Sequence, residues 1–382
     1  MNKNFLSAIL FLFSLSLFSQ YAVVEKFELP NEVKESSGLI FFNNRLITHN
    51  DSDNNPFLYE LDTLTGEVLR TVEIQNATNV DWEDITQDED YIYIADIGNN
   101  SGDRTDLRIY RISKYDYENN NNVTADTINY SYANQTNFTS NYNATNWDAE
   151  AIISWGNQLL IFTKNWANQE VNIYSVPKIP GTYSSVLESN YNVSGLITGA
   201  EQLGDSLIVL TGYDTSLITF VLSIENISLS GNLDLFSNST LNRYTNIIDA
   251  GNQIEAICYV SSNNSKTHFF ISNERFTYSS YTWEAKLRSF NLNKTHLKVN
   301  NFENTSVKIY PNPSNGIIYT EITNDTFPYN EIRVINASGK TVLDYYESKN
   351  TFLIDLSSYS AGIYLIIIKN NQGTIKQKVI IH

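Results

Sequence analysis

Between residues 21 and 300 the chain consists of short apolar or alternating runs separated by polar turns, and one unit of this pattern recurs five times. Each unit begins with a glutamate, followed by an apolar strand, a polar turn and a second apolar strand with a polar ending. A third strand follows each copy, and several of these alternate apolar with polar residues, as outer strands do when one face is buried. The glutamates that begin the units are Glu35, Glu83, Glu150, Glu201 and Glu255.

Successive glutamates are 48 to 67 residues apart. Short strands in units of this period are typical of a β-propeller, and no helical periodicity of useful length interrupts them. A β-sandwich of hairpins would not explain a glutamate at the same place in each unit. We therefore expect an all-β chain with a five- or six-bladed β-propeller over residues 21–300. The segment from Tyr21 to Pro30 would close the ring in the last blade, and a sixth blade would lie near 115–147 or 176–198.

The two ends of the chain follow other patterns. Residues 1–20 contain Lys3 and an apolar run of about 14 residues, shorter than the roughly 20 that a spanning helix needs. They predict a secretory signal peptide, with a retained anchor as the alternative. No later stretch is long and apolar enough to predict a transmembrane helix. The polar stretch 301–306 predicts a linker, and the short strands and Gly/Asn turns of 307–382 predict a small Ig-like β-sandwich.

Four motifs follow one another in this last segment. They are Ile309-Tyr-Pro-Asn-Pro313 with Gly316, the turn Ala337-Ser-Gly-Lys340, Leu356 with Ser360-Ala-Gly-Ile-Tyr364, and Lys376-Gln-Lys-Val-Ile-Ile381. With them, residues 305–382 resemble the C-terminal sorting domain of the type IX secretion system of the Bacteroidetes. The resemblance implies passage through the outer membrane by the type IX machinery. It also implies removal of this domain, with release of the protein or its attachment to the cell surface.

The net charge is strongly negative, with 42 acidic and 25 basic residues, a formal charge of −17 and a pI of about 4.6. Nucleic-acid binding is excluded because it needs clustered Lys and Arg, and binding to anionic lipid is disfavoured for the same reason. Residues 305–382 contain seven basic and six acidic side chains, and residues 1–20 contain only Lys3. The excess of negative charge therefore belongs to the predicted propeller.

Several chemistries find no support in the sequence. The single cysteine, Cys258, cannot form an internal disulfide, and its apolar surroundings predict a buried, inert thiol. The four histidines are scattered without the spacing of zinc ligands. Nucleophile-elbow and phosphate-loop motifs are also missing from the sequence. We therefore single out no catalytic residue.

In a propeller, residues that start the first strand of every blade converge on the central axis. Five carboxylates gathered there would repel one another unless a cation, basic side chains, protonation or backbone N–H groups offset their charge. Oxygen ligands suit a hard cation, with calcium as the first choice. The repeat thus predicts a metal site formed by Glu35, Glu83, Glu150, Glu201 and Glu255. Two alternatives remain open: each glutamate acts as a latch that accepts hydrogen bonds from a neighbouring blade, or a pair acts as general acid and base.

The second strands of the units end beside the same mouth, and two of the glutamates have tryptophans close to them in the sequence. An aromatic wall with convergent polar groups is typical of a small-ligand pocket. We expect a small molecule or glycan to contact Asn50, Asp81, Trp82, Asp96, Asn99 and Trp147. Lys164 and Arg275, at two other strand endings, are candidate counter-charges.

The segments Glu35–Leu39, Asp81–Ile85 and Ala149–Ile152 resemble the acidic strand starts of secreted propellers of the lactonase, esterase-like phytase and quorum-regulated kinds. The likeness is one short motif per blade, so no catalytic residue is carried over from it. It implies a calcium-dependent hydrolase of an ester, lactone or phosphoester, with the cation as electrophile. The alternative is a module that binds glycan or protein and whose glutamates are purely structural.

Overall fold

The computed structural model describes residues 21–227, 233–237, 239–249, 251–278, 281–293, 306–323, 330–337, 340–347, 349–370 and 373–382. The predicted signal peptide and residues 301–305 of the predicted linker lie outside these. Within the described part of the chain, helices are limited to a 3-10 turn (Asn31–Val33) and α1 (Lys114–Asn119), so the all-β prediction is confirmed. Neither of them has the length and apolar character needed to cross a membrane. The chain divides between Asn293 and Lys294 into two compact units.

The first unit begins with a strand that completes its last sheet. Its first fourteen strands are β1 (Tyr21–Glu28), β2 (Ser36–Phe42), β3 (Arg45–Asn50), β4 (Phe57–Leu61), β5 (Val68–Ile74), β6 (Trp82–Gln87), β7 (Tyr91–Asp96), β8 (Arg108–Ser113), β9 (Asn122–Val123), β10 (Asp126–Tyr132), β11 (Ala149–Trp155), β12 (Gln158–Thr163), β13 (Glu170–Pro177) and β14 (Gly181–Asn192). The remaining strands of the unit are β15 (Leu196–Leu203), β16 (Leu207–Tyr213), β17 (Thr219–Glu225), β18 (Thr240–Thr245), β19 (Ala256–Ser262), β20 (Lys266–Asn273), β21 (Phe276–Tyr278), β22 (Tyr281–Trp283) and β23 (Lys286–Asn293).

These strands form five antiparallel groups of four: β2–β5, β6–β8 with β10, β11–β14, β15–β18, and β19 and β20 with β23 and β1. The pairing of β1 with β23 places the start of the described chain in the last group, as the sequence predicted. Two parallel pairings, of β9 with β5 and of β10 with β14, extend or join the groups at their outer edges. The segments 115–147 and 176–198 contribute only most of α1, β9, β10, the end of β13, β14 and the start of β15, so neither forms a sixth group.

The first strands of the five groups form a closed cycle. β2 contacts β6, β6 contacts β11, β11 contacts β15, β15 contacts β19, and β19 contacts β2. A separate hydrophobic cluster fills each of the five interfaces between neighbouring groups. Cys258 is a free, fully buried thiol in the cluster that joins the last group to the first, as predicted. Each group therefore packs against two neighbours, and the five follow one another in a closed cycle.

The second unit contains two sheets around one core. Its strands are β24 (Ser306–Tyr310), β25 (Ile317–Thr323), β26 (Asn330–Asn336), β27 (Thr341–Glu347), β28 (Thr351–Asp355), β29 (Gly362–Asn370) and β30 (Gly373–Ile381). One sheet has the order β24-β25-β28 and the other the order β27-β26-β29-β30. Both contribute to one buried cluster, in which Ile318 and Ile354 of the first sheet pack with Ile332 and Ile366 of the second.

The sequence motifs of the second unit have structural roles. The Asn312 side chain accepts a hydrogen bond of 2.9 Å from the N–H of Ile380 and donates one of 2.8 Å to the carbonyl of Lys378, which ties it to β30. Gly316 has a φ of 105° and lies against the backbone of Ser357, so a side chain there would be both strained and obstructed. The middle residues of the 337–340 turn, Ser338 and Gly339, lie outside the described residues.

Candidate functional site

A β-bulge lies near the start of each of the first four inner strands. The register shifts between Ser36 and Gly38 in β2, between Trp82 and Asp84 in β6, between Ala149 and Ala151 in β11, and between Ile197 and Gly199 in β15. Before β19, two consecutive residues face Ser272. The N–H of Glu255 donates a hydrogen bond to the carbonyl of Ser272, and Ala256 is the register partner of the same residue. The extra residue of a bulge has no partner of its own, and its side chain is turned away from the ladder. The equivalent residues are Ser37, Glu83, Glu150, Thr198 and Glu255.

Three of the five predicted glutamates therefore occupy equivalent positions, and two do not. Glu35 comes two residues before the bulge residue Ser37, and Glu201 comes three residues after the bulge residue Thr198. Ser37 and Thr198 donate hydrogen bonds from their hydroxyls to backbone carbonyls of the next group, those of Glu83 and Ile254. The expectation of one glutamate at the same place in each unit was thus wrong in two units, because a bulge shifts the register without a sequence signal.

Four of these five residues, Ser37, Glu83, Glu150 and Glu255, line a cavity of about 360 Å³, which we call the mouth. Its lining combines six carboxylates, one lysine, four aromatic rings and a few neutral polar groups. The residues are Ser37, Asp51, Ser52, Asp81, Glu83, Asn100, Tyr142, Asn143, Glu150, Lys164, Trp166, Tyr213, Gln253, Glu255, Glu274 and Phe276. The mouth is therefore strongly acidic, and Lys164 is the one basic side chain in this lining.

Asp51, Asp81 and Glu83 form one group of carboxylates in the mouth. One oxygen from each lies within 4.8 Å of the others, a spacing that could hold a metal ion. The residue Glu83 is only 5% exposed, and no described residue donates a hydrogen bond or an ion pair to its carboxylate. A methyl group added to Gly98 would overlap with the carboxylates of Asp81 and Glu83, so the glycine leaves room for both.

The charges of this cluster oppose one another. Burial, together with the nearby carboxylates of Glu150 and Asp51, raises the pKa of Glu83 well above its ordinary value. Burial and the charge of Asp51 likewise raise the pKa of Asp81 to about 7, and burial raises the pKa of Asp51 to about 6. A cation bound among the three would remove this repulsion and favour the ionised carboxylates.

A second acidic group, Glu83 with Asp148 and Glu150, also has oxygens within 4.8 Å of one another. Two of its members already have partners. Asp148 accepts hydrogen bonds of 2.7 Å from the N–H of Asn99 and of 2.8 Å from the indole N–H of Trp166. Glu150 Oε1 lies 2.5 Å from Lys164 Nζ. This group therefore has fewer free ligand atoms than Asp51, Asp81 and Glu83.

Lys164 is held between its ion pair and two aromatic rings. Its ammonium lies 5.0 Å from the ring centre of Trp166 and 5.2 Å from that of Tyr213. Burial opposes the charge of Lys164, but the adjacent Glu150 raises its pKa well above the ordinary value. The lysine thus stays charged and neutralises part of the acidic mouth.

Two further carboxylates face the mouth without a hydrogen bond or an ion pair from any described residue. Burial raises the pKa of Glu255 to about 7, although Lys164 opposes the shift. Burial and the charge of Glu255 raise the pKa of Glu274 to about 8. Both values lie close to neutrality, where a carboxyl group can exchange protons.

The two glutamates outside the bulges are engaged elsewhere. Glu35 Oε2 accepts a hydrogen bond of 2.7 Å from the side chain of Asn54. Glu201 Oε2 accepts one of 2.6 Å from the N–H of Tyr259 in the next group, and burial raises its pKa to about 7. Asp84, which the sequence did not single out, bonds the N–H of Ile152 at 3.0 Å across another interface. Acidic side chains that latch neighbouring groups therefore exist, and they lie at positions other than the bulge.

Of the six residues expected to bind a small ligand, only Asp81 lines the mouth. Trp82 is fully buried in the core, and its ring N–H donates to the carbonyl of Thr78. Asp96 forms an ion pair of 2.9 Å with Arg104, and the N–H of Arg104 in turn bonds Asn99. Asn50 donates a hydrogen bond of 2.8 Å to the carbonyl of Glu32. These four support the loops around the mouth.

Trp147, the sixth of these residues, lines a different cavity of about 340 Å³. The other lining residues of that cavity are Gly102, Asn137, Thr139, Ser140, Asn141, Ala144 and Thr145. Its loop also supplies Tyr142 and Asn143 to the mouth. Sequence reasoning overlooked Trp166 as a wall of the mouth, although it lies only two residues after Lys164.

Residues 308–382 match the family model of the secretion system C-terminal sorting domain, which confirms the resemblance of the last segment. Such a domain implies secretion through the type IX system and attachment at the cell surface. Among solved structures, the chain is similar to that of the SapL1 lectin in complex with alpha methyl fucoside. The TM-score is 0.36 with 10% identity, over 92% of this chain and 99% of that chain. No curated protein matches the chain.

Proposed function

We propose that this exported protein is a five-bladed β-propeller that binds a divalent cation, calcium in the first place, in its mouth. Asp51, Asp81 and Glu83 would supply the ligand atoms, and the cation would in turn bind a small ligand. The observation that carries the proposal is the Glu83 carboxylate, which is buried, turned into the mouth and without a partner among the described residues. A buried carboxylate in this state is costly unless it is protonated or bound to a cation.

The chemistry of the donor set supports calcium over softer metals. All three candidate ligands are carboxylates, and the further metal-ligating atoms in the described lining of the mouth are oxygens of carboxylates, amides and hydroxyls. Calcium takes six to eight oxygen ligands with flexible geometry, so water or a ligand would complete the coordination. Zinc and copper prefer nitrogen and sulfur donors, and no histidine or cysteine is among the described residues that line the mouth.

A hydrolase is the second candidate function, and Glu255 and Glu274 favour it. Both face the same mouth with pKa values raised toward neutrality by burial. A cation could polarise an ester, lactone or phosphoester, and a carboxyl group of this kind could move the proton. Activity toward such substrates that is lost on chelation and restored by calcium would support this function over binding alone.

Calcium titration of the purified, chelator-treated protein tests the main proposal. We expect saturable heat in calorimetry and a rise in the melting temperature. At a free calcium concentration about 100 times the dissociation constant, the gain in unfolding free energy is about 2.7 kcal/mol. Magnesium should bind more weakly because it demands a tighter octahedral site. If calcium produces neither heat nor stabilisation, the metal proposal is wrong and a glycan- or protein-binding module with structural carboxylates becomes the better account.

A further inference from the structure

A third cavity, of about 240 Å³, adjoins the mouth in the first unit. Its walls include Leu196 and Leu217, and it shares Trp166, Tyr213 and Gln253 with the mouth. We call it the Leu217 pocket. The shared residues make the two cavities neighbours. The mouth is rich in carboxylates, whereas the Leu217 pocket combines two leucines and two aromatic rings with Gln169, Asp214, Thr215 and Gln253.

The wall between the cavities is held in place. The indole N–H of Trp166 donates a hydrogen bond of 2.8 Å to Asp148, whose other oxygen is bonded by the backbone of Asn99. Lys164 lies close to the rings of Trp166 and Tyr213 and is fixed by its ion pair with Glu150. The boundary between the polar and the apolar cavity is therefore preorganised, which lowers the cost of ordering a ligand across it.

Leu217 itself has an unusual backbone. Its φ is 56°, and it is the one apolar residue among the nine described non-glycine residues with positive φ, the others being Asn, Asp, Gln and Ser. The turn is held by a hydrogen bond of 2.9 Å from the N–H of Leu217 to the carbonyl of Asp214, and by another of 3.0 Å from the N–H of Ile218 to the Asp214 side chain. Glycine or asparagine would adopt this conformation with less strain. A branched apolar side chain kept there despite the strain indicates a use for its surface.

We propose that the Leu217 pocket receives the apolar chain of a small amphipathic acid whose carboxylate or phosphate head binds the cation in the mouth, on the side of Lys164. This inference rests on the proposed function, since the bound cation supplies most of the attraction for the head. The acidic mouth without a cation would repel an anion, whereas a divalent cation and Lys164 together present positive charge to it. The apolar chain of the ligand is then removed from water and contacts Leu196, Leu217 and the rings of Trp166 and Tyr213.

Calorimetric titration with acetate, butanoate, hexanoate and octanoate, each in the presence of calcium, tests the pocket. Each added methylene that enters an apolar pocket should strengthen binding about threefold to fourfold, until the pocket is full. Equal affinity across the series would overturn the inference. Octylammonium has the same chain and the opposite charge, so tighter binding of octylammonium than of octanoate would also overturn it.

Two variants separate the pocket from general hydrophobic binding. Leu217→Asn keeps a residue that tolerates positive φ and should remove the dependence on chain length. Leu64→Asn is the matched control, because Leu64 is 80% exposed and remote in sequence from the Leu217 pocket, and it should retain that dependence. If Leu217→Asn does not fold, Leu217→Gly relieves the backbone strain and removes the same surface. A variant at Leu217 that keeps the full dependence on chain length contradicts the inference.

The failure of this inference can be told from the failure of the proposed function. Calcium titration without any acid reports on Asp51, Asp81 and Glu83 alone. Calcium binding without a preference for longer chains leaves the proposed function standing and overturns the pocket. The absence of calcium binding overturns both, because the acid head then has no cation to bind.

Discussion

Lys164 donates a hydrogen bond of 2.5 Å to Glu150, and both side chains are only 6% exposed. The pair lies at the edge of a mouth whose other charged groups are all carboxylates. The stability of the first unit depends on this pair, because loss of either partner would leave a buried charge in the mouth uncompensated.

Replacing Lys164 by methionine should therefore destabilise the protein strongly. Removal of one partner of a buried ion pair costs about 3–5 kcal/mol, because the remaining charge stays buried. Denaturant titration would measure the loss. Lys178→Met is the matched control, since the ion pair of Lys178 with Asp88 is more exposed and should be worth about 1 kcal/mol or less. Equal losses in the two variants would contradict the special position of Lys164.

The glutamates should differ in their roles. Glu83→Gln should abolish the calcium-induced rise in melting temperature, because it removes a charged ligand from the proposed cation site. Glu201→Gln should keep that rise, because Glu201 faces the N–H of Tyr259 instead of the mouth. Differential scanning fluorimetry with and without calcium distinguishes them. A loss of the calcium response in both variants would restore the original expectation of an equivalent glutamate ring.

Gly98→Ala should weaken calcium binding about tenfold or more, with a smaller effect on overall folding. The added methyl group would overlap with the carboxylates of Asp81 and Glu83 and push them apart. Calorimetry gives the change in affinity, and denaturant titration gives the change in stability. Gly156→Asn is the control, since Gly156 has a φ of 52° and open space within 4 Å of the position that a Cβ would take. An unchanged calcium affinity in Gly98→Ala would exclude Asp81 and Glu83 as ligands.

Without calcium, the carboxylates of the mouth should make the protein less stable as pH rises. Folding raises the pKa of Asp81 from 3.8 to about 7 and the pKa of Glu274 from 4.5 to about 8. The folded state therefore binds more protons than the unfolded state between about pH 4 and pH 8. The stability that these groups contribute is fully present below about pH 4 and is lost as the pH rises to about 8. The loss is about 1.4 kcal/mol per pH unit for each group that is protonated only in the folded state.

Denaturant titrations at about pH 5 and about pH 8, with chelator and with calcium, would measure this effect. Calcium should flatten or reverse the slope because it binds the ionised carboxylates and favours them at higher pH. In the double variant Asp81→Asn and Glu274→Gln, the part of the slope that belongs to these groups should disappear. If the unfolding free energy falls with pH as steeply in this double variant as in the wild type, the pH dependence belongs to other groups.

Deletion of residues 305–382 should leave the protein in the periplasm, because the segment that matches the sorting domain would be missing. Cell fractionation followed by immunoblotting would locate it. Fusion of the same residues to an unrelated exported protein is the converse experiment and should bring that protein to the cell surface. Normal surface display of the truncated chain would contradict the sorting role.

The sequence by itself determined the features that depend on residues close together along the chain. The alternation of apolar and polar residues predicted the all-β fold, the five repeated units, and the return of Tyr21–Pro30 to the last of them, and the structure pairs β1 with β23 accordingly. The buried thiol of Cys258 followed from its apolar neighbours. The sorting segment was recognisable because its motifs lie in one continuous stretch of the chain, residues 308–382.

Only the tertiary structure decided which acidic residues meet. A β-bulge is a property of the backbone register and leaves no mark on composition, so Glu201 and Thr198 could not be assigned to their places from the sequence. Packing of the first group against the second then brings Asp51, at the end of β3, close to Asp81 and Glu83, at the start of β6. Burial at that point raises their pKa values and leaves Lys164 as the nearby counter-charge, and these effects depend on distance and solvent exclusion.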